Sequence, residues 1–327
     1  MGGNEWTEEE VKLLEESYSK LMPIDDITIL IPQHSKGSIY CKANALGLTK
    51  QFIRKNSADY KADYQSYDWC YERYIVKGMT MKEMAEEAGC KLRTIQKWCG
   101  DIHGLNGHTF RKYKKLNDTQ RELILFGRLG DGHIDNREHQ ACYIESHAED
   151  QKDYLFWKYN ILKDICNIPP TYYPSKIKMF NDKEYVAQPS YRMTTRLVDE
   201  LIELREIPRI DIINMINEFG ISLHALDDGC RMEYWSICLA GWTEDEVDTY
   251  IQLCLDRFGL KCKRAMSNGY VYAQFDKDSS IKLDKIILNN IPNDLDIIKK
   301  KIIYNKNIKG DRNELYGISS SYGKQSA

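Results

Sequence analysis

The sequence predicts an α+β protein, a duplicated αββαββα unit preceded by small all-α modules, and three observations carry that prediction. Two apolar stretches, ILFGRLGDGHI (residues 124–134) and ISLHALDDGC (221–230), each read as the last turns of a helix that finishes on an acid followed by Gly. Their acids, Asp131 and Asp228, stand 97 positions apart, and helix-starting capping boxes at Ser146-His-Ala-Glu149 and Thr243-Glu-Asp-Glu246 repeat at the same offset. Strand-like and helical stretches then follow each acid in the same order. Signals of different physical origin at one offset indicate a duplicated unit of about 100 residues, an ordinary domain size.

In chain order, residues 1–50 read as a helical module. Trp6 and Thr7 precede a stretch in which Val11, Leu14 and Tyr18 share a face; Pro23 stops it, and SIYCKANALGL ends at Gly47, a residue suited to a helix C-terminus. Residues 51–66, with Arg54, Lys55 and Lys61 and no sustained period, read as a linker. Residues 67–116 contain TMKEMAEEAGCKLRTIQKWC, where Ala85 can sit at a helix crossing, Gly89 at a turn, and Ile95 and Trp98 on the inner face of a second helix. That is the pattern of a helix-turn-helix. The second helix would expose Lys91, Arg93, Thr94, Gln96 and Lys97, donors suited to phosphates and base edges; a solvated face of an all-α packing module is the alternative. The basic run Arg111, Lys112, Lys114 and Lys115 reads as a phosphate-contacting linker leading to Asn117 and Asp118, caps for the first motif helix.

The first repeat is assigned residues 117–216. It offers ACYIESH as a strand, a capped helix from Glu149 to about Cys166, two long strand-like stretches around an Asn181-Asp182 turn, and a helix ending before Pro208. The second, 217–310, mirrors it with RMEYWSICLA, a helix from Glu244 to Phe258, strands around Asn268-Gly269 and a helix from Ile281. Residues 311–327 read as a flexible tail.

Composition sets outer limits. The 327 residues are 42% hydrophobic and 29% charged, with a net charge of −3, so any nucleic-acid contact must come from local patches and not a whole-protein field. Ten cysteines without a Cys-x-x-Cys pair, an acidic opening and no long apolar run predict reduced thiols in a cytoplasmic protein. Cys90, Cys99, His103 and His108 do not have the gaps of a known zinc finger.

An apolar helix ending in Gly-Asp-Gly or Asp-Asp-Gly, occurring twice and followed each time by a hairpin, a capped helix and a second hairpin, resembles the LAGLIDADG homing endonucleases in their single-chain, two-motif form. The resemblance covers roughly residues 118–305. Phe126 stands where that family usually has a small residue. In the N-terminal module, WTEEEVKLLEESY followed by KANALGL resembles a Myb-like DNA-binding module; a small three-helix bundle of other use is the alternative, since the first helix is acidic.

The resemblance implies a saddle of two β-sheets, a monomer that binds double-stranded DNA, and site-specific double-strand cleavage of the kind used in intron homing. Phosphodiester hydrolysis needs charge neutralisation, an activated water and a stabilised leaving oxygen, and two hard divalent ions supply these. Asp131 and Asp228 are accordingly the expected Mg²⁺ (or Mn²⁺) ligands, with the Gly130 and Asp227 carbonyls adding to them. Arg205, before Ile207-Pro208, stands where the family keeps a lysine, and as an always-charged group it would only stabilise anions. Its counterpart in the second repeat would be among Lys299, Lys300 and Lys301, with an ordinary surface charge run as the alternative. Further DNA contacts are expected from Lys176, Lys178 and Arg192 in the first repeat and from Arg231, Lys263 and Arg264 in the second. Two other functions fit the same scaffold: a DNA-binding regulator with a dead site, and an intron RNA maturase. Both acids are present, and a helix-turn-helix suits duplex DNA better than the closed major groove of RNA.

Overall fold

In the computed structural model the described residues are 6–19, 22, 24–46, 48, 63–135, 140–180 and 183–303. Gly47, most of the expected linker, the Asn181-Asp182 turn, the side chain of Lys178 and the tail lie outside them. The chain divides into two compact units, Met1–Lys114 and Lys115–Ala327.

Among its described residues, the regular structure of the first unit is helical. Helices α1 (Glu8–Ser19), α2 (Ile24–Leu30) and α3 (Lys36–Ala45) enclose Leu14, Tyr18, Ile24, Ile27, Ile31, Ile39 and Ala43, and the Trp6 ring stacks on His34. Helix α4 (Tyr67–Tyr71) runs on as a π-turn to Val76, and α5 (Met81–Glu87) starts from a capping box between Thr80 and Glu83. Gly89, at φ +60, makes the turn into α6 (Leu92–Ile95), which continues as a π-turn to Ile102; α7 (Gly107–Tyr113) closes the unit. Ala85 and Ile95 are buried as expected, but Cys99, not Trp98, completes the inner face; Trp98 is half-buried beside His103.

The second unit contains two four-stranded antiparallel sheets with the same strand order. Helix α8 (Asp118–Gly127) leads by a tight turn into β1 (Gly132–Ile134), β2 (Tyr143–Ala148) and α9 (Lys152–Leu162). Then come β3 (Thr171–Tyr173), β4 (Lys176–Phe180), β5 (Lys183–Ala187), β6 (Ser190–Thr194), α10 (Glu200–Glu206) and α11 (Arg209–Met215). Helix α12 (Glu218–Asp228) opens the second series: β7 (Gly229–Arg231), β8 (Trp235–Cys238), α13 (Glu244–Phe258), β9 (Cys262–Ser267), β10 (Tyr270–Phe275), α14 (Lys277–Asn290) and α15 (Asp296–Ile298), the last extended by a π-turn to Ile303. The sheets run β1-β2-β6-β3 and β7-β8-β10-β9, so each element of one has its counterpart in the other.

Two sequence expectations are corrected. Ser146 caps no helix: it sits inside β2, where its Oγ accepts from Arg192 Nε, and α9 starts six residues later. Thr243 does form its capping box with Glu246. The two long strand-like stretches of the first repeat each break in two, at Pro174 and Pro189, because proline donates no ladder hydrogen bond. The outer pieces pair as a separate β4-β5 hairpin, which has no counterpart among the described residues of the second series.

Candidate metal centre

Helices α8 and α12 pack against each other, and glycines set how closely. A Cβ at Gly130 would lie 2.5 Å from Cβ of Asp227, and one at Gly220 would lie 2.7 Å from the Phe126 ring. The bulky Phe126 is thus accommodated by a glycine on the facing helix. Gly127 and Gly132 leave room for Tyr143: a Cβ at either would come within 2.2 Å of its hydroxyl oxygen.

This packing brings acids of both repeats together. Asp131 lies on the turn after α8, partly exposed, with Oδ2 3.5 Å from Nδ1 of His147. Asp228 is the last residue of α12, similarly exposed, with Oδ2 3.8 Å from Nε2 of the buried His224. Asp227, expected to offer its carbonyl, instead turns its side chain inward: Oδ1 accepts from Lys158 Nζ at 2.9 Å and from the Tyr154 hydroxyl at 3.0 Å. Donor atoms of Asp131, His147 and Asp227 all lie within 4.8 Å of one another, a grouping able to hold a cation.

Behind these residues lies a buried charged layer absent from the sequence reading. Strand β2 points Tyr143, Glu145 and His147 inward. Glu145, fully buried, accepts from the Tyr143 hydroxyl at 2.7 Å, from His147 Nε2 at 2.7 Å and from the Lys158 ammonium. Lys158, itself fully buried, divides its donors between Glu145 and Asp227 and lies 4.3 Å above the Tyr154 ring. Each buried charge therefore has partners, the condition on which ions persist in an interior. The visible signal was the alternation in YIESHA, which puts a Glu and a His on the face that the strand pattern assigns to the core.

The electrostatics follow from this crowding. Burial, then Asp227, pushes Asp131 up to about 6; burial, then Asp131 and Asp227, pushes Asp228 up to about 7. Burial would also raise Glu145, but Lys158 and His147 outweigh it and hold the carboxylate ionised. For His147, burial opposes a charge, and the Glu145 hydrogen bond together with the negative charges of Glu145 and Asp227 outweighs it, leaving its pKa raised. Burial drives His224 down to about 3, so it is neutral.

The other expected site residues separate into groups. Lys301 donates to the carbonyls of Leu226 and Gly229, at 2.7 and 2.6 Å, and feels Asp227, Asp131 and Asp228; Lys299 and Lys300 instead pair with Asp296 and Asp150 at the surface. Arg205 pairs with Glu206 through Nε, while its Nη1 is buried without a hydrogen-bond partner among the described residues. Lys114 and Arg231 are not surface contacts: the Lys114 ammonium is buried on the Val76 carbonyl, and Arg231 is buried in a paired contact with Asp284, 2.9 Å from Nη2 to Oδ2. Lys91, Arg93, Lys97, Lys112, Lys115, Lys176 and Lys263 are exposed, as are Arg192 and Arg264; Thr94, Gln96 and Arg111 are half-buried. Arg192 lies over the Tyr173 ring and Arg264 pairs with Asp248.

Residues 123–283 match the LAGLIDADG DNA endonuclease family. No curated protein matches the chain. Among solved structures, it is similar to the homing endonuclease I-WcaI bound to its DNA recognition sequence (17% identity, 58% of this chain and 88% of that one, TM-score 0.48). It is also similar to I-DmoI in complex with DNA and Mn (13% identity, 53% and 98%, TM-score 0.36). A third similarity is to full-length WhiA from Thermatoga maritima (12% identity, 61% and 66%, TM-score 0.35). No helix among the described residues is long and apolar enough to cross a membrane.

Proposed function

We propose that this chain is a site-specific double-strand DNA endonuclease whose residues 117–310 form two LAGLIDADG repeats related by a pseudo-two-fold axis. The observation that carries the reading is the convergence of Asp131 and Asp227, from different repeats, with Asp228 next to them, in the region that matches the endonuclease family. Four carboxylates, with Glu145, outnumber the two nearby ammonium groups of Lys158 and Lys301, and that imbalance favours a divalent cation. Bound there, such a cation would neutralise phosphate charge and supply an activated water.

The chain's own residues divide the remaining work. Asp131 and Asp228, one from each repeat and both reachable from solvent, hold charge where the scissile phosphates of the two strands are to lie. Lys158 fixes the Asp227 carboxylate in place. Lys301, with its pKa lowered by burial, is the better basic partner in the second repeat, and Arg205, with Nη1 uncommitted, offers a fixed positive charge in the first. Lys176, Arg192, Lys263 and Arg264, carried on the sheets, contact the DNA backbone. In residues 1–116, α5 and α6 act as a helix-turn-helix that adds affinity through Arg93 and its neighbours, and α1 to α3 as a Myb-like module.

Incubating the protein and Mg²⁺ or Mn²⁺ with DNA from its genomic neighbourhood and from a relative lacking the gene tests the reading. Staggered double-strand ends at one locus are the expected result. Binding at one locus with no ion-dependent cut would favour the regulator instead.

A further inference from the structure

The two sheets differ where their pairing registers coincide. Gly132 faces Glu145 in the first sheet and Gly229 faces Ile237 in the second, so Glu145 corresponds to Ile237 and, two residues on, His147 to Leu239. The second repeat thus fills these inward positions with aliphatic side chains, both buried, as a core does. In the first repeat the same positions hold a carboxylate and an imidazole, both buried, at the edge of the acid cluster.

The His147 ring is held by that carboxylate. Its Nε2 lies 2.7 Å from Glu145 Oε1, and the charge on Glu145, which Lys158 and Tyr143 maintain, makes Nε2 the donor in that contact. The opposite nitrogen, Nδ1, faces two oxygen acceptors, Asp131 Oδ2 at 3.5 Å and Gln151 Oε1 at 3.0 Å, so a cation bound there would take the place of a proton on Nδ1. A carboxylate on one imidazole nitrogen that directs the other nitrogen toward a ligand position is the usual support of a metal-binding histidine, fixing its tautomer and raising its basicity. Placing such a pair in a core strand has no packing rationale when Ile and Leu do the same duty in the other repeat.

We propose that His147 is a metal ligand through Nδ1, making the first-repeat site, with Asp131 and Asp227, a mixed carboxylate–imidazole centre that takes a transition-metal ion in preference to Mg²⁺. This rests on the nuclease reading for the reaction served, but not for the binding itself. Oxygen-only sets suit Mg²⁺ and Ca²⁺, whereas an imidazole nitrogen shifts preference toward Mn²⁺ and the later first-row ions. The second repeat has Leu239 at the matching strand position, and the imidazole nearest its acid, His224 with Nε2 3.8 Å from Asp228 Oδ2, comes from α12 and has no carboxylate behind it, so the two repeats present different ligand sets and bind ions unequally.

The test uses the full chain and MnCl₂ or MgCl₂ as probes, without DNA. Titration should give Mn²⁺ a Kd at least about tenfold below that of Mg²⁺. Pulsed electron paramagnetic resonance of the bound Mn²⁺ should show a nitrogen coupling that changes when histidine is ¹⁵N-labelled. The coupling should vanish in His147→Gln, which keeps a donor for Glu145 but has no imidazole, and in Asp131→Asn, a partly exposed site where folding is not at risk. If His147→Gln does not fold, the labelled parent and Asp131→Asn decide alone. Bound Mn²⁺ without histidine coupling, or coupling unchanged in His147→Gln, would overturn the assignment and leave the nuclease reading standing. Cleavage by Asp131→Asn at the parent's rate would instead overturn the nuclease reading, even where the ion and its nitrogen coupling are found as expected.

Discussion

Asp131 and Asp228 hold their protons to unusually high pH because the fold removes their carboxyls from water and sets Asp227 near both, with Asp131 adding to the effect on Asp228. The ordinary value for an aspartate is near 3.8, so between that pH and about 7 the native state binds a proton at Asp228 that the unfolded chain does not. Stability from this group is therefore present below the unfolded pKa and is lost as pH rises through the folded one. Without added ion, Asp228→Asn should melt at a higher temperature than the parent at pH 8, and the difference should shrink by pH 5, where the parent's Asp228 is already neutral. A thermal melt at both pH values checks this; an equal gap at each would remove ionisation as the cause. The two acids were legible in the sequence because an Asp-Gly after an apolar helix, repeated, is a local pattern. Lys158 was not, since its partners Glu145 and Asp227 lie far from it in the chain and only the fold joins them.

Glycines at the α8–α12 contact act at the scale of the element. Gly130→Ala and Gly220→Ala should each lower stability by about 1–3 kcal/mol in urea unfolding, since the added methyl meets Asp227 or Phe126 well inside contact distance. Neutral substitutions at both would mean the helices are not packed this closely. In α6, Arg93 is exposed and Ile95 fully buried, so Arg93→Ala should weaken DNA binding at fixed salt by about 1–3 kcal/mol without unfolding if it reads a base. Ile95→Ala should instead destabilise its unit by about 2–5 kcal/mol. Parent-like DNA affinity for Arg93→Ala would take this helix out of the groove. The elements also show where a local pattern misleads. Ser146-x-x-Glu149 has the residues of a capping box, yet Ser146 pairs opposite Arg192 in the sheet, because ladder pairing outweighs one cap. The offset is 97 at the acids but 92 from Lys152 to Glu244 at the starts of α9 and α13, so the second signal does not recur at the spacing of the first.

At the scale of the molecule, the recurring run of strand-like and helical stretches was readable in the sequence, while the shared strand order of the two sheets came from long-range pairing, and the extra β4-β5 hairpin needed the proline breaks to be read as sheet exits. The acid cluster belongs wholly to Lys115–Ala327. A fragment beginning at Lys115 should therefore fold with a cooperative melt and cut at the same position as the full chain with weaker binding; a shifted cut would mean that residues 1–114 choose the site. In the proposed reaction each repeat supplies one acid to the cutting of one strand. Its most direct measurement is conversion of supercoiled plasmid carrying the target, in Mg²⁺ or Mn²⁺, by the parent and by Asp131→Asn and Asp228→Asn. Linear product is expected from the parent and, from either variant, at most a nicked circle. Linear product from either variant at the parent's rate would contradict it.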